Sequence, residues 1–236
     1  MDNIQIKIPL QSYGLGDIIF SMSIINKWIN DGCHVIWGVE PVYLPIAKHF
    51  PWIIFIDKNL LNIDYNIKET VTTGNAKIIP LRWSNDIQKV SYDFVMSSKY
   101  DMMDLNWKEW KKGFSCNRDY ESEHKLYFDV LGLQLNEKYN LISEHYQTAG
   151  KIHSPLHVDN GLKNVQMKFI NGFTMFDWLT VMQNATTIHA VASSNIYLFE
   201  LYEMDAKEIH LYPRKPEENN HDHYKYLLTK KYQYHD

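Results

Sequence analysis

The sequence predicts an α/β protein of two lobes, each built on a mainly parallel sheet with helices packed against it. Two observations predict this fold. Short apolar runs alternate with stretches of helical periodicity between residues 4 and 56, and a similar alternation returns between residues 165 and 212. The segment between residues 101 and 117 is polar and rich in tryptophan and lysine. We therefore place the boundary near it and divide the chain into residues 1–110 and 111–236.

The first lobe opens with a strand and an amphipathic helix. Isoleucines at positions 4, 6 and 8 alternate with other residues and predict a strand over residues 4–10. Apolar side chains then recur at spacings of three and four, which predicts a helix from about Asp17 to Asn30. A second strand, a short helix and a third strand complete a βαβαβ unit at His34–Val39, Tyr43–Phe50 and Trp52–Ile56.

The turn between the first strand and the first helix is the most informative segment of the sequence. Gly14 and Gly16 permit close backbone approach, and the free amides at the start of the helix attract a phosphate or another polar group. Ligands of parallel sheets bind beyond the carboxyl ends of the strands, where this turn lies. Two interpretations of Asp17 stay open, a side chain that faces the ligand and an acid that caps the helix. Tyr13, just before the turn, could stack on a sugar or a base.

After the third strand, the pattern predicts a hairpin and a connection to the second lobe. Residues 71–79 have the pattern of two strands joined by a turn at Gly74-Asn75. The segment from Trp107 to Lys112 interleaves tryptophans with basic residues. Such a segment can bind a nucleic-acid strand, or it can be a connection that packs its tryptophans, and we favour the second interpretation.

The second lobe repeats the alternation in a smaller form. A helix over Asp119–Leu131 ends at Gly132, and a helix over Thr174–Asn184 opens with Thr174 and Asp177 at the spacing of a capping box. Another apolar helix runs from Ile196 to Tyr202. Four strands are predicted, the last of which closes the pattern: Tyr139–His145, Val165–Ile170, Thr187–Ala192 and Ile209–Tyr212.

The turn Ser193-Ser194-Asn195 lies between a buried strand and a helix, as the glycine turn does in the first lobe. Its two hydroxyls and the helix-start amides suit a diphosphate, although serine and asparagine are also ordinary helix caps. His189, in the preceding strand, either lines a ligand pocket or is a core residue, and we favour the core. Arg214 and Lys215 follow the last strand. There they could neutralise an anion or belong to a solvated loop.

Composition limits the class of protein. The chain has 236 residues, of which 45% are hydrophobic, so it can bury a sizeable core. A formal charge of −4 argues against a surface-wide electrostatic grip on nucleic acid. Two distant cysteines, no signal-peptide pattern and no long apolar window lead us to expect a soluble, cytoplasmic protein without a membrane span. The tail motif His221-Asp222-His223 lies in a polar stretch, and we assign it no metal.

The two turns, in this order on two α/β lobes, resemble those of the GT-B glycosyltransferases, in particular the lipopolysaccharide heptosyltransferase-like group. Gly16-Asp17 matches the Gly-Asp that follows the first strand in that group, and residues 185–198 match its strand, serine turn and helix. Two departures stand out. Ala192 replaces a position that is often acidic, and the chain is shorter than members of that group, as small phage or viral versions are.

The resemblance implies two Rossmann-like lobes that face a cleft, a compact GT-B-like arrangement. It also implies transfer of a sugar from a nucleotide diphosphate donor, bound mainly by the C-terminal lobe, to a hydroxyl acceptor. Metal is usually dispensable in that group, and we expect neither a metal nor another cofactor. The acceptor would be a glycan or a hydroxylated DNA base.

Within this interpretation, we assign candidate roles to residues of the two turns and of the segments near them. Asp17 would be the general base on the acceptor hydroxyl, and Gly14 and Gly16 would let a ligand approach the backbone. The donor side is the larger set: Ser193, Ser194, Asn195, His189, Arg214, Lys215 and Lys168.

Two functions of other classes stay open. One is an NAD(P)- or flavin-dependent Rossmann enzyme, because the GxG turn precedes Glu40 at the end of the second strand. The other is a non-catalytic module that binds a nucleotide sugar without transferring it, since both would share fold and binding turns.

Overall fold

A computed structural model describes residues 4–11, 14–81, 95–144, 156–214 and 222–235. The chain divides into two compact units, Met1–Asn117 and Arg118–Asp236. Each unit has a five-stranded sheet with helices, so each is a Rossmann-like α/β lobe as the sequence predicts.

Unit 1 has the strand order β3-β2-β1-β5-β4. The strands β1, β2, β3 and β5 are parallel, and β4 pairs antiparallel with β5 through the predicted hairpin. Because the chain moves from β1 toward β3 on one side and returns to β5 on the other, the switch point lies beyond the carboxyl ends of β1 and β5. The strands are Ile6–Pro9 (β1), His34–Val39 (β2), Ile54–Asp57 (β3), Val71–Thr73 (β4) and Ala76–Ile79 (β5).

The first helix, α1, spans Leu15–Asn30 and begins two residues before the predicted start. Gly14 is its N-cap residue and has a φ of 77°, a left-handed conformation that favours glycine. The predicted apolar face is buried, and Phe20 packs at 5.1 Å from the rings of both Tyr100 and Trp110. Tyr100 belongs to helix α2, Val95–Asp101.

The predicted short helix after β2 is a 3-10 helix over Pro41–His49, with Pro45 inside it. In the connecting segment, Trp107–Glu109 forms a 3-10 turn, and Trp110 is 1% exposed. The burial of Trp110 therefore agrees with the interpretation that this connecting segment packs its tryptophans.

Unit 2 has the order β10-β9-β8-β6-β7, and all its pairs are parallel. The strands are Tyr139–Ser143 (β6), Lys163–Gln166 (β7), Thr187–Val191 (β8), Glu208–Tyr212 (β9) and Gln233–Tyr234 (β10). The helices are Tyr120–His124 (α3), Leu179–Asn184 (α4), Asn195–Leu201 (α5) and Asp222–Lys225 (α6). A π-helical turn, Lys125–Val130, extends α3, and a 3-10 turn with the predicted Thr174–Asp177 capping box precedes α4.

Two predictions for unit 2 were wrong. The strand expected at Val165–Ile170 is β7, which ends at Gln166, so Lys168 lies beyond it. Ile209–Tyr212 does not close the sheet, because β10 pairs with β9 on its outer side. The buried carboxylate of Glu200 holds the segment before β10, accepting hydrogen bonds from Thr229, Lys230 and Tyr232.

Within the described ranges, no helix has both the length and the apolar character needed to cross a bilayer.

Candidate functional site

The switch point of unit 1 brings together four residues that are distant in the sequence. Gln11 follows β1, Leu81 follows β5, Asp17 is in the first turn of α1, and Lys99 extends from α2. The ammonium of Lys99 donates to Gln11 Oε1 at 2.7 Å and to the Leu81 carbonyl at 3.0 Å, and it lies 2.9 Å from Asp17 Oδ1. Ligands of doubly wound sheets bind at such a point.

Burial differs between the two partners of this ion pair. The Lys99 side chain is 2% exposed and the Asp17 side chain 34% exposed. An ammonium has three N–H donors, and the three acceptors account for all of them. Asp17 is therefore the member of the pair that a ligand in solution can reach.

Gly14 lies against the second oxygen of the same carboxylate. A Cβ at this position would stand 2.6 Å from Asp17 Oδ2, and its backbone has a positive φ. Gly14 is the N-cap residue, and no side chain hydrogen-bonds at the cap. Asp17 is thus an acid of the first turn whose described contact is with Lys99, rather than a capping side chain. Gly16 is the second residue of the helix, and Tyr13 lies outside the described residues.

Glu40, the residue on which the dinucleotide interpretation depends, follows β2 and forms an ion pair with Lys58. A ribose hydroxyl at Glu40 would compete with this lysine. The pair is partly buried, with side chains 28% and 15% exposed.

In unit 2, parallel strands bring the predicted donor residues to one edge of the sheet. Lys168 follows β7, Ser193 and Ser194 follow β8, and Arg214 follows β9. The strand order places β6 between β7 and β8. β7 is therefore about 10 Å from β8, two strand spacings away, while β9, the strand that Arg214 follows, is adjacent to β8.

Buried hydrogen bonds hold the serine turn, Ser193-Ser194-Asn195, in place. Asn195 is fully buried, and its side chain donates to Ser143 Oγ at 2.9 Å and accepts from the Ser193 amide and hydroxyl at 3.3 Å. Ser193 is buried as well, whereas Ser194 is half-buried. Of the three side chains, the hydroxyl of Ser194 is the most accessible to a ligand.

Arg214 is exposed and is attached to the same turn by one bond. Its Nε donates to the Ala192 carbonyl at 2.8 Å. A guanidinium has further N–H donors that can bind an anion in front of the turn. Lys168 is also exposed, and Lys215 lies outside the described residues.

His189 belongs to a stack of rings on β8 and β9. Its ring lies 4.3 Å from that of His210 at an interplanar angle of 3°, and its Nδ1 lies 3.1 Å from the hydroxyl of Tyr212. His210 in turn is hydrogen-bonded to His235 at 2.9 Å. Burial, together with the neighbouring imidazoles, lowers the pKa of His189 to about 4. These contacts match the core interpretation of His189.

Sequence reasoning missed Lys99 and Gln11. Lys99 stands among polar and aromatic residues in a short helix with no periodic signal. Gln11 looks like an ordinary residue at the end of a strand. Among the residues that the structure describes, no group of three or more His, Cys, Asp or Glu side chains is arranged to hold a metal ion. Of the tail motif, Asp222 and His223 are among the described residues and His221 lies outside them.

Comparison with known proteins gives a likeness in structure alone. No family model matches the sequence, and no curated protein matches it significantly. The iron-containing dodecameric glycosyltransferase TibC of enterotoxigenic E. coli aligns at 11% identity and a TM-score of 0.50, over 90% of this chain and 59% of TibC. The chain thus spans less than two thirds of that protein.

Two further solved structures agree. TibC as a heptosyltransferase in complex with ADP-D-β-D-heptose aligns at 12% identity and a TM-score of 0.51, over 90% of this chain and 59% of that one. A family 9 glycosyltransferase of Veillonella parvula aligns at 9% identity and a TM-score of 0.54, over 89% of this chain and 81% of that one. The chain therefore shares its fold with these glycosyltransferases.

Proposed function

We propose that this protein is a glycosyltransferase that moves a sugar from a nucleoside diphosphate sugar to a hydroxyl acceptor. The observation that carries the proposal is the Asp17 carboxylate, which is a third exposed and lies at the switch point of a glycosyltransferase-like fold. In the non-catalytic alternative, the same carboxylate would accept hydrogen bonds from ligand hydroxyls and remove no proton.

Asp17 is the general base of the proposed reaction. A carboxylate within hydrogen-bond reach of the acceptor hydroxyl removes its proton as the oxygen attacks the anomeric carbon. The carboxylate is fixed before the substrate arrives, which favours a productive geometry. The acceptor is a glycan or a hydroxylated DNA base, and Asp17 can take the proton from a hydroxyl of either one.

The donor diphosphate binds at the sheet edge of unit 2. Ser194 and the backbone of the turn hydrogen-bond the phosphates, and the guanidinium of Arg214 balances the charge that develops on the leaving diphosphate. Lys168, two strands away, is in reach of a more distant part of the nucleotide. The complex of TibC with ADP-D-β-D-heptose supports a donor of this class.

A thermal-shift screen tests the proposal. Nucleoside diphosphates, their common sugars, NAD and NADP are added to the full chain, since a ligand that binds the native state raises Tm by mass action. We expect one nucleoside diphosphate to stabilise the wild type and to lose its effect in Ser194→Ala and Arg214→Gln. The matched control is Lys207→Gln, because Lys207 precedes β9 at the opposite edge of the same sheet.

The same screen separates the alternatives. Stabilisation by NAD or NADP alone, lost in Glu40→Gln, would overturn the glycosyltransferase proposal in favour of a dinucleotide enzyme. When a donor is found, transfer to glycans and to hydroxymethylated DNA is assayed with Asp17→Asn alongside. Binding that persists in wild type and variant without any transfer would identify a binding module.

A further inference from the structure

We infer that Lys99 is a positioning residue that orients the Asp17 carboxylate for proton transfer. The inference rests on the proposed function, and it assigns a role to a buried cation that the proposed reaction does not otherwise use. Lys99 does not contact the substrate itself, because its ammonium is buried and its three donors have acceptors.

The ammonium is held by groups that the fold fixes. Leu81 follows β5, and Gln11 follows β1, where the indole of Trp37 donates to its backbone carbonyl at 2.7 Å. Helix α2 is attached to α1 because the Tyr100 hydroxyl donates to the Phe20 carbonyl at 2.6 Å. The position of the Lys99 ammonium therefore follows from two strands and two helices.

Asp17 is the third and most exposed of the Lys99 partners, so the ammonium determines where its carboxylate points. Oδ1 lies at 2.9 Å from Lys99, and Oδ2 lies against Gly14, 2.6 Å from where a Cβ of that residue would stand, so Oδ2 is the carboxylate oxygen that Lys99 does not hold. Oδ2 is then the oxygen that accepts the proton. The acceptor hydroxyl gives its proton to Oδ2, its oxygen forms a bond to the anomeric carbon, and the bond from that carbon to the diphosphate breaks with its electron pair on the diphosphate oxygen.

Removing the ammonium should harm turnover and leave binding intact. In Lys99→Met, Asp17 keeps its place on α1 but loses the contact that orients it, and misplacement of a catalytic group costs about 10²-fold in rate. We expect kcat to fall by about 10- to 100-fold, while KM and the thermal shift produced by the nucleotide stay unchanged. Lys112→Met, which alters an exposed lysine paired with Glu109, is the matched control.

A double-mutant comparison tests whether Lys99 acts through Asp17. If it does, Lys99→Met causes little further loss of kcat in the Asp17→Asn background. An equal loss in both backgrounds would overturn the positioning role, and so would a rise in KM with kcat unchanged.

If Lys99→Met fails to fold, Gln11→Leu replaces it, since this change removes one fixed acceptor of Lys99 without touching Asp17. We expect it to lower kcat less than Lys99→Met would, with KM unchanged, and unaltered kcat would overturn the inference.

Failure of the inference is distinguishable from failure of the proposed function. A wild type that binds nucleotide sugars and transfers none of them overturns the function, and the role of Lys99 in catalysis with it. A wild type that transfers sugar at a rate independent of Lys99 overturns the inference alone.

Discussion

Both the backbone conformation of Gly14 and its contact with Asp17 favour glycine at this position. Its φ of 77° is left-handed, and a Cβ would meet Asp17 Oδ2 at 2.6 Å. We therefore expect Gly14→Ala to lower the free energy of unfolding by more than the strain of the backbone alone, which is of order 1–3 kcal/mol. Chemical denaturation with the linear extrapolation measures the change.

Gly32 supplies the control for this prediction. It has a φ of 84°, close to that of Gly14, and a Cβ added there would meet no atom within 4 Å. Gly32→Ala thus carries the backbone strain without the collision. Equal losses in the two variants would show that Asp17 moves away at no cost and would contradict the prediction.

The residues of the unit 1 site differ in how far the sequence could predict them. Gly14 and Asp17 stand out because a glycine turn between an apolar strand and a helix is a local pattern. Lys99 does not, because its contact with Asp17 depends on how β5 and α2 pack beside β1. Only the folded sheet brings two residues 82 positions apart to 2.9 Å.

At the scale of elements, the stacked rings on β8, β9 and β10 predict a pH dependence of stability. His189 is 8% exposed, and it has a lowered pKa of about 4 in the folded chain, compared with 6.5 as its ordinary value. The unfolded chain takes up a proton below pH 6.5, and the folded chain does so only near pH 4. His189 therefore does not affect stability above pH 6.5, where it is neutral in both states. As the pH falls from 6.5 to 4, the free energy of unfolding decreases by up to about 3 kcal/mol, because the proton binds the unfolded chain more tightly.

Denaturation curves at several pH values in this window measure the fall, and His189→Phe isolates the contribution of this ring. Phenylalanine keeps a flat ring in the stack and cannot be protonated. The groups that face His189 remain: His210, His235, Tyr212 and the carboxylate of Glu208. We expect a shallower fall in the variant, whereas His34→Asn, at an exposed position of β2, should keep the wild-type curve. Parallel curves for wild type and His189→Phe would contradict the prediction.

Elements with a strong local signal were predicted, and those that depend on pairing were not. The apolar spacing of α1, the hairpin turn at Gly74 and the capping box at Thr174 match the structure. β7 was placed two residues late, because the apolar residues after Gln166 extend the pattern beyond the paired segment. β10 has only two residues, and Glu200 holds the segment before it, so this strand leaves no periodic pattern in the sequence.

At the scale of the whole molecule, the proposed function divides the ligands between the two units. Each unit has its own sheet edge with polar groups, Asp17 in unit 1 and the serine turn in unit 2. Hydrogen–deuterium exchange of the full chain reads both edges at once, because a bound ligand slows the local opening of the segments it contacts.

With a nucleoside diphosphate, we expect slower exchange in peptides that cover residues 190–197 and 212–214, and unchanged exchange in peptides that cover residues 10–18. In the proposed function, the phosphates bind the turn and Arg214, whereas Asp17 contacts the acceptor hydroxyl. Protection confined to residues 10–18 and the region of Glu40 would instead place the ligand on the glycine turn, as a dinucleotide enzyme requires. An isolated loss of the 190–197 protection in Ser194→Ala would connect the effect to direct contact with the turn.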